Sequence, residues 1–211
     1  MAACLKVPPT KSVLLRLKRE ERFLEQGRDL LERKRELLTR LVYERLARYR
    51  SLRRKARAAL QEAYHWLAVT HMRTGSHMLH QATLGLAPTV SGRVLPRSSL
   101  GVEYPSVTME RRAVQPVSLM WTDASFDETR RYMTELALVL AELGEAENAL
   151  RRMLAEQRRT QKRVNALKHN VIPRYRETIR FIDSALEEEE RNALFQIKVL
   201  RQGQGDPGAF S

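Results

Sequence analysis

Apolar residues recur at helical spacing over two long stretches of the 211-residue sequence. In the first stretch, pairs of apolar residues begin at positions 23, 30 and 37, and a regular alternation of four and three residues then runs from Val42 to Leu67. This alternation is typical of the seam of a coiled coil. It predicts an N-terminal coiled-coil helix over residues 10–70, with Thr10 or Ser12 as its cap.

The second stretch keeps the same alternation from Met133 to Val164, shifts its face at Leu167 and continues to Leu200. It predicts a C-terminal coiled-coil helix over residues 125–200, capped by Ser125. The predicted seam positions in the middle of the chain are Val42, Leu46, Tyr49, Arg53, Ala56, Leu60, Ala63 and Leu67, and Met133, Leu136, Leu140, Leu143, Glu147, Leu150, Leu154, Gln157, Gln161 and Val164.

Two residues interrupt the pattern of the second helix. Pro173 stands inside it, where proline costs roughly 3 kcal/mol in a helix interior. Because the apolar pattern crosses Pro173 instead of stopping there, we interpret this residue as a helix bend and not as a terminator. Asn165 stands beside the seam, where a polar side chain either fixes the register of the two helices or lies in solvent.

Neither apolar stripe can be buried alone, so the sequence predicts an all-α fold in which the two helices form a long antiparallel coiled coil. We expect a single elongated domain over residues 1–211. Residues 75–121 are predicted to form a compact insert with a short helix and a possible β-hairpin. The prolines of this insert restrict any sheet to edge strands. Residues 203–211 are predicted to be a disordered tail.

Positive charge is concentrated towards the two ends of the chain. The sequence has a formal net charge of +13; residues 1–60 hold 18 Lys and Arg against 7 Asp and Glu, and residues 151–182 hold 10 against 2. Antiparallel pairing of the helices brings these two basic regions together. The topology therefore predicts a strongly positive surface near the chain ends, suited to an acidic or polyanionic neighbour.

The sequence offers little for catalysis or for a membrane span. Cys4 is the single cysteine, and the longest purely apolar run, residues 136–141, is far shorter than the ~20 residues of a membrane helix, so we expect a soluble, cytosolic protein. There is no phosphate-binding glycine loop or nucleophile elbow, and no cofactor is expected. A histidine group is a weak candidate for a metal site: His65, His71, His77 and His80.

The basic run at residues 50–57 has helical spacing, and a solvated helix face explains it better than a dedicated contact. A second function class remains open at this point, namely a basic coiled-coil scaffold that binds nucleic acid electrostatically. Such a scaffold would bind with an affinity that falls steeply with salt.

Four segments carry a resemblance to a known family. PTKSVLLRLKRE at residues 9–20, GRDLLERKRELL at 27–38, KRVNALKHNVIPRYRETIRFI at 162–182 and EEEERNALFQIK at 187–198 resemble the terminal helices of the D subunits of V-type (vacuolar/archaeal-type) ATP synthases. The acidic pair Glu20 and Glu21 departs from that family's more basic pattern. The resemblance covers both long helices, and the insert matches only loosely.

The resemblance implies a non-catalytic rotor axle, or central stalk, that couples proton or sodium flow to ATP synthesis or hydrolysis. The implied partners are the catalytic and nucleotide-binding subunits of the ATPase ring, a small stalk subunit and a funnel-shaped subunit above the membrane ring. The implied location is cytoplasmic and peripheral, on the inner face of the cell membrane. Candidate bearing contacts with the catalytic ring are Arg16, Lys18, Arg19, Arg22, Arg163, Arg174, Arg176 and Arg180.

Overall fold

A computed structural model of the chain describes Leu5, residues 7–114 and residues 122–203. Helix α1 spans Lys11–Thr74 and is followed by the short helix α2, Ser76–Leu84. Strands β1, Val90–Ser99, and β2, Val102–Arg111, form an antiparallel hairpin. The last elements are α3, Ala124–Ala166, a π-helical turn, Leu167–Val171, and α4, Ile172–Gly203.

Two compact units share these elements. The central unit comprises Glu36–Arg158, and the terminal unit comprises Met1–Arg35 together with Arg159–Ser211. Each unit contains a segment of α1 and a segment from the second half of the chain.

In the central unit, α1 and α3 are paired antiparallel. Gln157 donates to the Thr39 hydroxyl at 2.9 Å, whereas the Thr70 hydroxyl lies 2.8 Å from the carbonyl oxygen of Ser125. Residue numbers therefore rise along one helix as they fall along the other. The main apolar cluster joins α1, α3 and β2, and its buried members are Leu38, Val42, Val102, Tyr104, Ala149, Leu150 and Met153.

Buried threonines contribute to the contact between α1 and α3. The hydroxyl of Thr70 lies 2.7 Å from that of Thr129, and both residues are buried. Each of these hydroxyls also bonds to the carbonyl oxygen four residues earlier in its own helix, at 2.9 Å. This back-bonding lets a small polar side chain be buried between helices with its hydrogen-bonding capacity satisfied.

The hairpin turns tightly and has a proline pair at its middle. Ser99 pairs with Val102, so Leu100 and Gly101 form a two-residue loop, with φ of 50° and 75°. Positive φ at both loop residues is the signature of a type I′ turn, which matches the twist of the strands. Pro96 is directly opposite Pro105. In a two-stranded sheet each strand is an edge, so these prolines interrupt little of the hydrogen bonding.

In the terminal unit, the start of α1 pairs antiparallel with α4. Leu17, Ile179 and Ile182 form its buried apolar cluster. The N–H of Leu5 donates to the hydroxyl of Thr178 at 3.1 Å, which ties the residues before α1 to α4. Antiparallel order is evident here too, because Lys11 forms an ion pair with Glu190, whereas the later Lys18 pairs with the earlier Asp183.

The structure confirms the all-α fold class, the antiparallel pairing within each unit and the small insert with a short helix and a hairpin. The Thr10 hydroxyl accepts from the N–H of Val13 at 3.3 Å, which confirms it as the cap of α1. The predicted tail at 203–211 lies outside the described residues except for Gly203, at which α4 ends. Residues 115–121 of the predicted insert also lie outside them.

Parts of the predicted seam were wrong. Leu60, Leu140 and Glu147 of the predicted seam are exposed, whereas Leu52, Ala149, Met153 and Thr160, which the seam omitted, are buried. Leu38, from the predicted apolar pair at 37 and 38, is buried as expected. A seam drawn through two helices alone omits the hairpin, and β2 covers a second face of α3. The buried Ala149 and Met153 belong to the cluster that β2 joins, so the strict alternation missed this contact surface.

The predicted cap of the second helix was also wrong. Helix α3 begins at Ala124, whose N–H donates to the carboxylate of Asp123 at 2.8 Å. Ser125 is buried, and its carbonyl oxygen accepts from threonine hydroxyls. Asp123 fits the position because a carboxylate stabilises the unpaired N–H groups and the positive end of the helix dipole.

Candidate interaction surfaces

The eight candidate bearing residues all belong to the terminal unit, and seven of them fall into two groups. In the first group, basic side chains bind acids of this same chain. Lys18 pairs with Asp183 at 3.1 Å across the two helices, and Arg16 lies 3.8 Å from Glu20 one turn further along α1. The structure thus assigns these cations to contacts within the chain.

Arg176 is the most strongly tied of this first group. Its Nε donates to Glu21 at 2.9 Å, and its Nη2 pairs with Glu25, so one guanidinium bridges α4 to two successive turns of α1. The hydrogen bond to Glu21 is the main cause that raises the pKa of Arg176, followed by Glu25. Glu21, which departs from the family's basic pattern, therefore has a structural partner.

The second group is exposed. Arg19, Arg22, Arg163 and Arg180 have exposed side chains, and within the described part of the chain they form no ion pair. Arg174 is half-buried and belongs to neither group, because it has its own interaction within the chain. The positive surface available to another molecule is therefore smaller than the sequence predicted.

The π-helical turn lies immediately before Pro173. The N–H of Ile172 bonds to the carbonyl of Leu167, five residues earlier, and α4 then begins at Ile172. A π-turn holds one residue more than an α-turn, so it rotates the following residues about the helix axis. Val164 and Ile172 are both buried. The turn thus explains the shift of the apolar pattern, and it removes the regular α-helical geometry with which Pro173 would clash.

Asn165 is exposed and accepts from Gln161 at 2.9 Å, one turn earlier in the same helix. This bond lies within one helix, so it does not fix the register of two. The register in this part of the terminal unit comes instead from Arg35, which donates to the side-chain oxygen of Gln161 at 3.1 Å. The solvent-facing interpretation of Asn165 is the correct one.

An apolar surface at the end of α4 was missed by the sequence reasoning. Leu194 and Phe195 are 68% and 67% exposed, and Ile197, Val199 and Leu200 are exposed as well. The described part of α1 begins at Lys11, which pairs with Glu190. The seam pattern continued to Leu200 and could have revealed this surface, because no predicted partner helix extended that far.

The hairpin is fixed to the central unit by polar contacts on the side of β2. Arg45 donates to the Tyr104 hydroxyl at 2.9 Å, and its guanidinium lies 4.8 Å from the centre of the Tyr104 ring. Glu145 accepts from the N–H of Val107 at 2.7 Å, and Arg152 donates to the Glu103 carbonyl at 2.8 Å. By contrast, most of β1 is exposed. The hairpin therefore presents β1 to solvent.

No metal site emerges from the described residues. Among them, no group of three or more His, Cys, Asp or Glu side chains has the geometry to hold a metal ion, and the four candidate histidines are exposed. None of the described helices is long and apolar enough to cross a membrane.

Comparison with known proteins shows the family. The family model for the D subunit of ATP synthases matches residues 13–202. The chain belongs to the ATP synthase D-subunit family. The match includes both long helices and the insert, so the family relationship is not confined to a generic coiled-coil pattern.

Individual members of the D-subunit family align along nearly their whole length. The chain is 31% identical over 199 residues to the D subunit of the V-type ATP synthase of Thermotoga neapolitana, covering 94% of this chain and 98% of the relative. It is 30% identical over 205 residues to the D subunit of the A-type ATP synthase of Pyrococcus furiosus, covering 95% and 96%. With the A-type D subunit of Methanopyrus kandleri the identity is 32%, covering 92% and 85%.

Proposed function

We propose that this chain is the rotor axle, or central-stalk subunit, of a V-type proton- or sodium-translocating ATP synthase or ATPase. It couples ion flow mechanically to ATP synthesis or hydrolysis in the catalytic ring. Membership of the D-subunit family supports this function directly. Neither the fold nor the family supports the alternative of a nucleic-acid-binding scaffold.

The observation that carries the proposal is the pairing of the first and last helices of the chain within each unit. An axle must transmit torque, so its two strands have to resist sliding and unwinding. Interdigitated apolar residues provide this resistance in the central unit, and ion pairs across the helices add to it in the terminal unit. Chemistry is not required of an axle, and we place catalysis in the ring subunits.

The exposed surfaces of the terminal unit suit contact with the catalytic and nucleotide-binding subunits of the ring. Arg19, Arg22, Arg163 and Arg180 supply positive charge, which attracts acidic loops over several ångströms without requiring one fixed geometry. The exposed apolar end of α4 supplies a surface that can slide against apolar side chains. A rotating contact needs such non-directional interactions.

We assign the remaining contacts to the small stalk subunit and to the funnel-shaped subunit above the membrane ring. The central unit, with its outward-facing β1 strand, is the part of the chain available for them. The complex would hold this chain peripherally on the cytoplasmic face of the cell membrane.

Truncation tests the axle directly. A chain ending at Lys162 loses the π-turn and all of α4, while the residues of the central unit remain. We expect the truncated chain to bind the small stalk subunit, and the reconstituted complex to hydrolyse ATP without pumping ions. ATP-driven ion uptake into vesicles and ATP hydrolysis are measured side by side.

The matched control is a chain that lacks only residues 204–211. It should couple hydrolysis to pumping as the full chain does. If the chain ending at Lys162 also pumps ions normally, the axle proposal is wrong. It is equally wrong if the full chain forms no complex with the other ATP synthase subunits.

A further inference from the structure

A stripe of arginine and tyrosine runs along the outer face of α1 in the central unit. Tyr43, Arg50, Arg57 and Tyr64 follow one another at intervals of seven residues, which places them on one face of the helix. Tyr43 is 70% exposed and Tyr64 58%, and both arginines are exposed. We call these four residues, with Arg53 and Arg54, the arginine stripe. It extends over roughly 30 Å at about 1.5 Å per helical residue.

The arginines of the stripe have no acid to neutralise them. Arg50, Arg53, Arg54 and Arg57 line an open hollow of about 610 Å³ and form no ion pair within the described part of the chain. At the neighbouring helical positions, three and four residues away, they meet one another and no carboxylate. Like charges at these spacings destabilise a helix. Other arginines of the chain do pair with acids at this spacing, for example Arg16 with Glu20 and Arg151 with Glu147.

From this arrangement we infer that the arginine stripe is a docking surface for an acidic α-helix of another subunit of the same complex. A straight row of cations on a helix matches carboxylates repeated at three, four and seven residues on a second helix. Arginine and tyrosine are the side chains that protein interfaces favour, and arginine binds carboxylates in a bidentate manner. The inference rests on the proposed function, since it takes the partner from the ATP synthase complex.

A protein partner fits the stripe better than a nucleic acid. Binding of single strands relies on aromatic rings placed among the cations, where bases can stack. Here the two exposed tyrosines lie at the ends of the stripe, 21 residues apart, and no ring stands between the arginines of the stripe. Such an order is typical of an interface with a charged centre and an aromatic contact at either end.

The test uses a charge reversal with a matched control on the same helix. Arg50→Glu with Arg57→Glu alters the stripe. Arg33→Glu with Arg40→Glu makes the same change in charge at the same seven-residue spacing, also at exposed arginines, but on a face rotated by roughly 80–100° around the helix. Circular dichroism confirms that both variants are helical. Binding to each purified subunit of the organism's own ATP synthase complex is then measured by calorimetry at low and high salt.

We expect the Arg50/Arg57 variant to bind one subunit at least about tenfold more weakly, and the Arg33/Arg40 variant to bind it normally. Higher salt should reduce the difference. Replacing Tyr43 and Tyr64 by alanine should weaken the same interaction. Glu→Lys changes in an acidic helix of that subunit should restore binding to the Arg50/Arg57 variant.

Several results would overturn the inference. One is equal affinity of both variants for every subunit. Another is that the Arg50/Arg57 variant loses affinity only for duplex DNA. A third is that the variant loses only self-association of the chain, in which the stripe of one copy binds the exposed acids at 187–190 of another. If the Arg50/Arg57 variant assembles and pumps ions like the unaltered chain, the docking inference fails and the axle proposal stands. If the unaltered chain binds no subunit, both fail.

Discussion

The central and terminal units hold the same two-stranded helical arrangement together in different ways. In the central unit, a large apolar cluster is shared by α1, α3 and β2, and threonines are buried between the helices. In the terminal unit, the buried cluster consists of Leu17, Ile179 and Ile182, and ion pairs connect the helices around it. The central unit depends mainly on apolar burial, with the Arg73–Asp123 ion pair at the end of α1, and the terminal unit has ion pairs between its helices at several levels.

This difference fits the two tasks that the proposed axle function requires. A segment that must keep a fixed structure while partners attach to it benefits from close packing, which tolerates little deformation. In the proposed axle, a segment that turns inside the ring benefits from several ion pairs between its helices, since together they oppose sliding while each exposed pair can be rearranged at small cost. Substitutions in both units test this difference.

Core truncation should affect the central unit most. Leu38→Ala removes a side chain that is 0% exposed, and we expect a loss of about 2–5 kcal/mol in the free energy of unfolding. Leu17→Ala in the terminal unit should lie at the lower end of that range, because fewer buried residues surround it. Denaturant unfolding measures both losses, and hydrogen exchange shows which unit opens.

The neighbouring residue provides the control. Leu37 is 50% exposed, so Leu37→Ala should change the free energy of unfolding by less than about 0.5–1 kcal/mol. If the Leu17 variant loses as much stability as the Leu38 variant, the two units do not differ in their dependence on apolar burial. The comparison would then have to rest on the ion pairs alone.

The buried hydroxyl of Thr70 should have the next largest effect. Thr70→Val keeps the shape of the side chain but removes the hydrogen bonds to Thr129 and to the Ser125 carbonyl. We expect a loss of about 1–2 kcal/mol, since the polar partners remain buried. Thr83→Val is the control, because its hydroxyl bonds to the His80 carbonyl of its own short helix. Equal losses in the two variants would contradict a special role for buried threonine.

Replacing Pro173 should stabilise the terminal unit slightly. Pro173→Ala restores an N–H donor, and we expect a gain of about 1 kcal/mol. The π-turn should persist, since Val164 and Ile172 are both buried and a return to α-helical geometry would rotate Ile172 away from its contact. A crystal structure of the variant decides this. Disappearance of the π-turn would mean that Pro173, and not the apolar pattern, imposes it. A change in the curvature of the helix at this position would support the predicted bend.

The sequence allowed the long helices, their antiparallel pairing and the hairpin to be predicted, because apolar periodicity and turn residues are local signals. It omitted buried positions such as Met153, since β2 joins this apolar cluster from a distant part of the chain. It also missed Thr70, because a pattern of apolar residues ignores a hydroxyl that bonds to its own helix. Contacts that depend on three elements at once leave no periodic trace.

The candidate bearing residues were predicted from charge alone, and charge does not reveal pairing. Arg176 and Arg180 are alike in the sequence, four residues apart on one helix. Only the structure separates them, because Arg176 faces Glu21 and Glu25 on α1 while Arg180 faces solvent. The phase of α4 decides this, and that phase depends on the π-turn.

The same pair of arginines tests the electrostatic contacts of the terminal unit. Arg176→Gln should increase hydrogen exchange in the terminal unit at low salt. The reason is that the two ion pairs of Arg176, with Glu21 and Glu25, are lost. The difference from the unaltered chain should shrink near 1 M salt, where the screening length falls to about 3 Å. Arg180→Gln should have no such effect at either salt concentration. A salt-independent change at Arg176 would point to packing of its aliphatic stem instead.

The smallest expected effect lies at the end of α1 in the central unit, where one exposed ion pair joins α1 to the residue that caps α3. The hydrogen bond from Arg73 lowers the pKa of Asp123, and the N–H of Ala124 lowers it further. A lowered pKa stabilises the folded state above the carboxyl's unfolded pKa, and this contribution disappears as the pH falls through the folded value. Arg73→Met should therefore raise the pKa of Asp123 and weaken the acid dependence of stability. A carbon-detected NMR titration measures the pKa, with Arg112→Met as the control that leaves it unchanged. If Arg73→Met leaves it unchanged too, the lowered pKa belongs to helix capping and the ion pair adds nothing to the central unit.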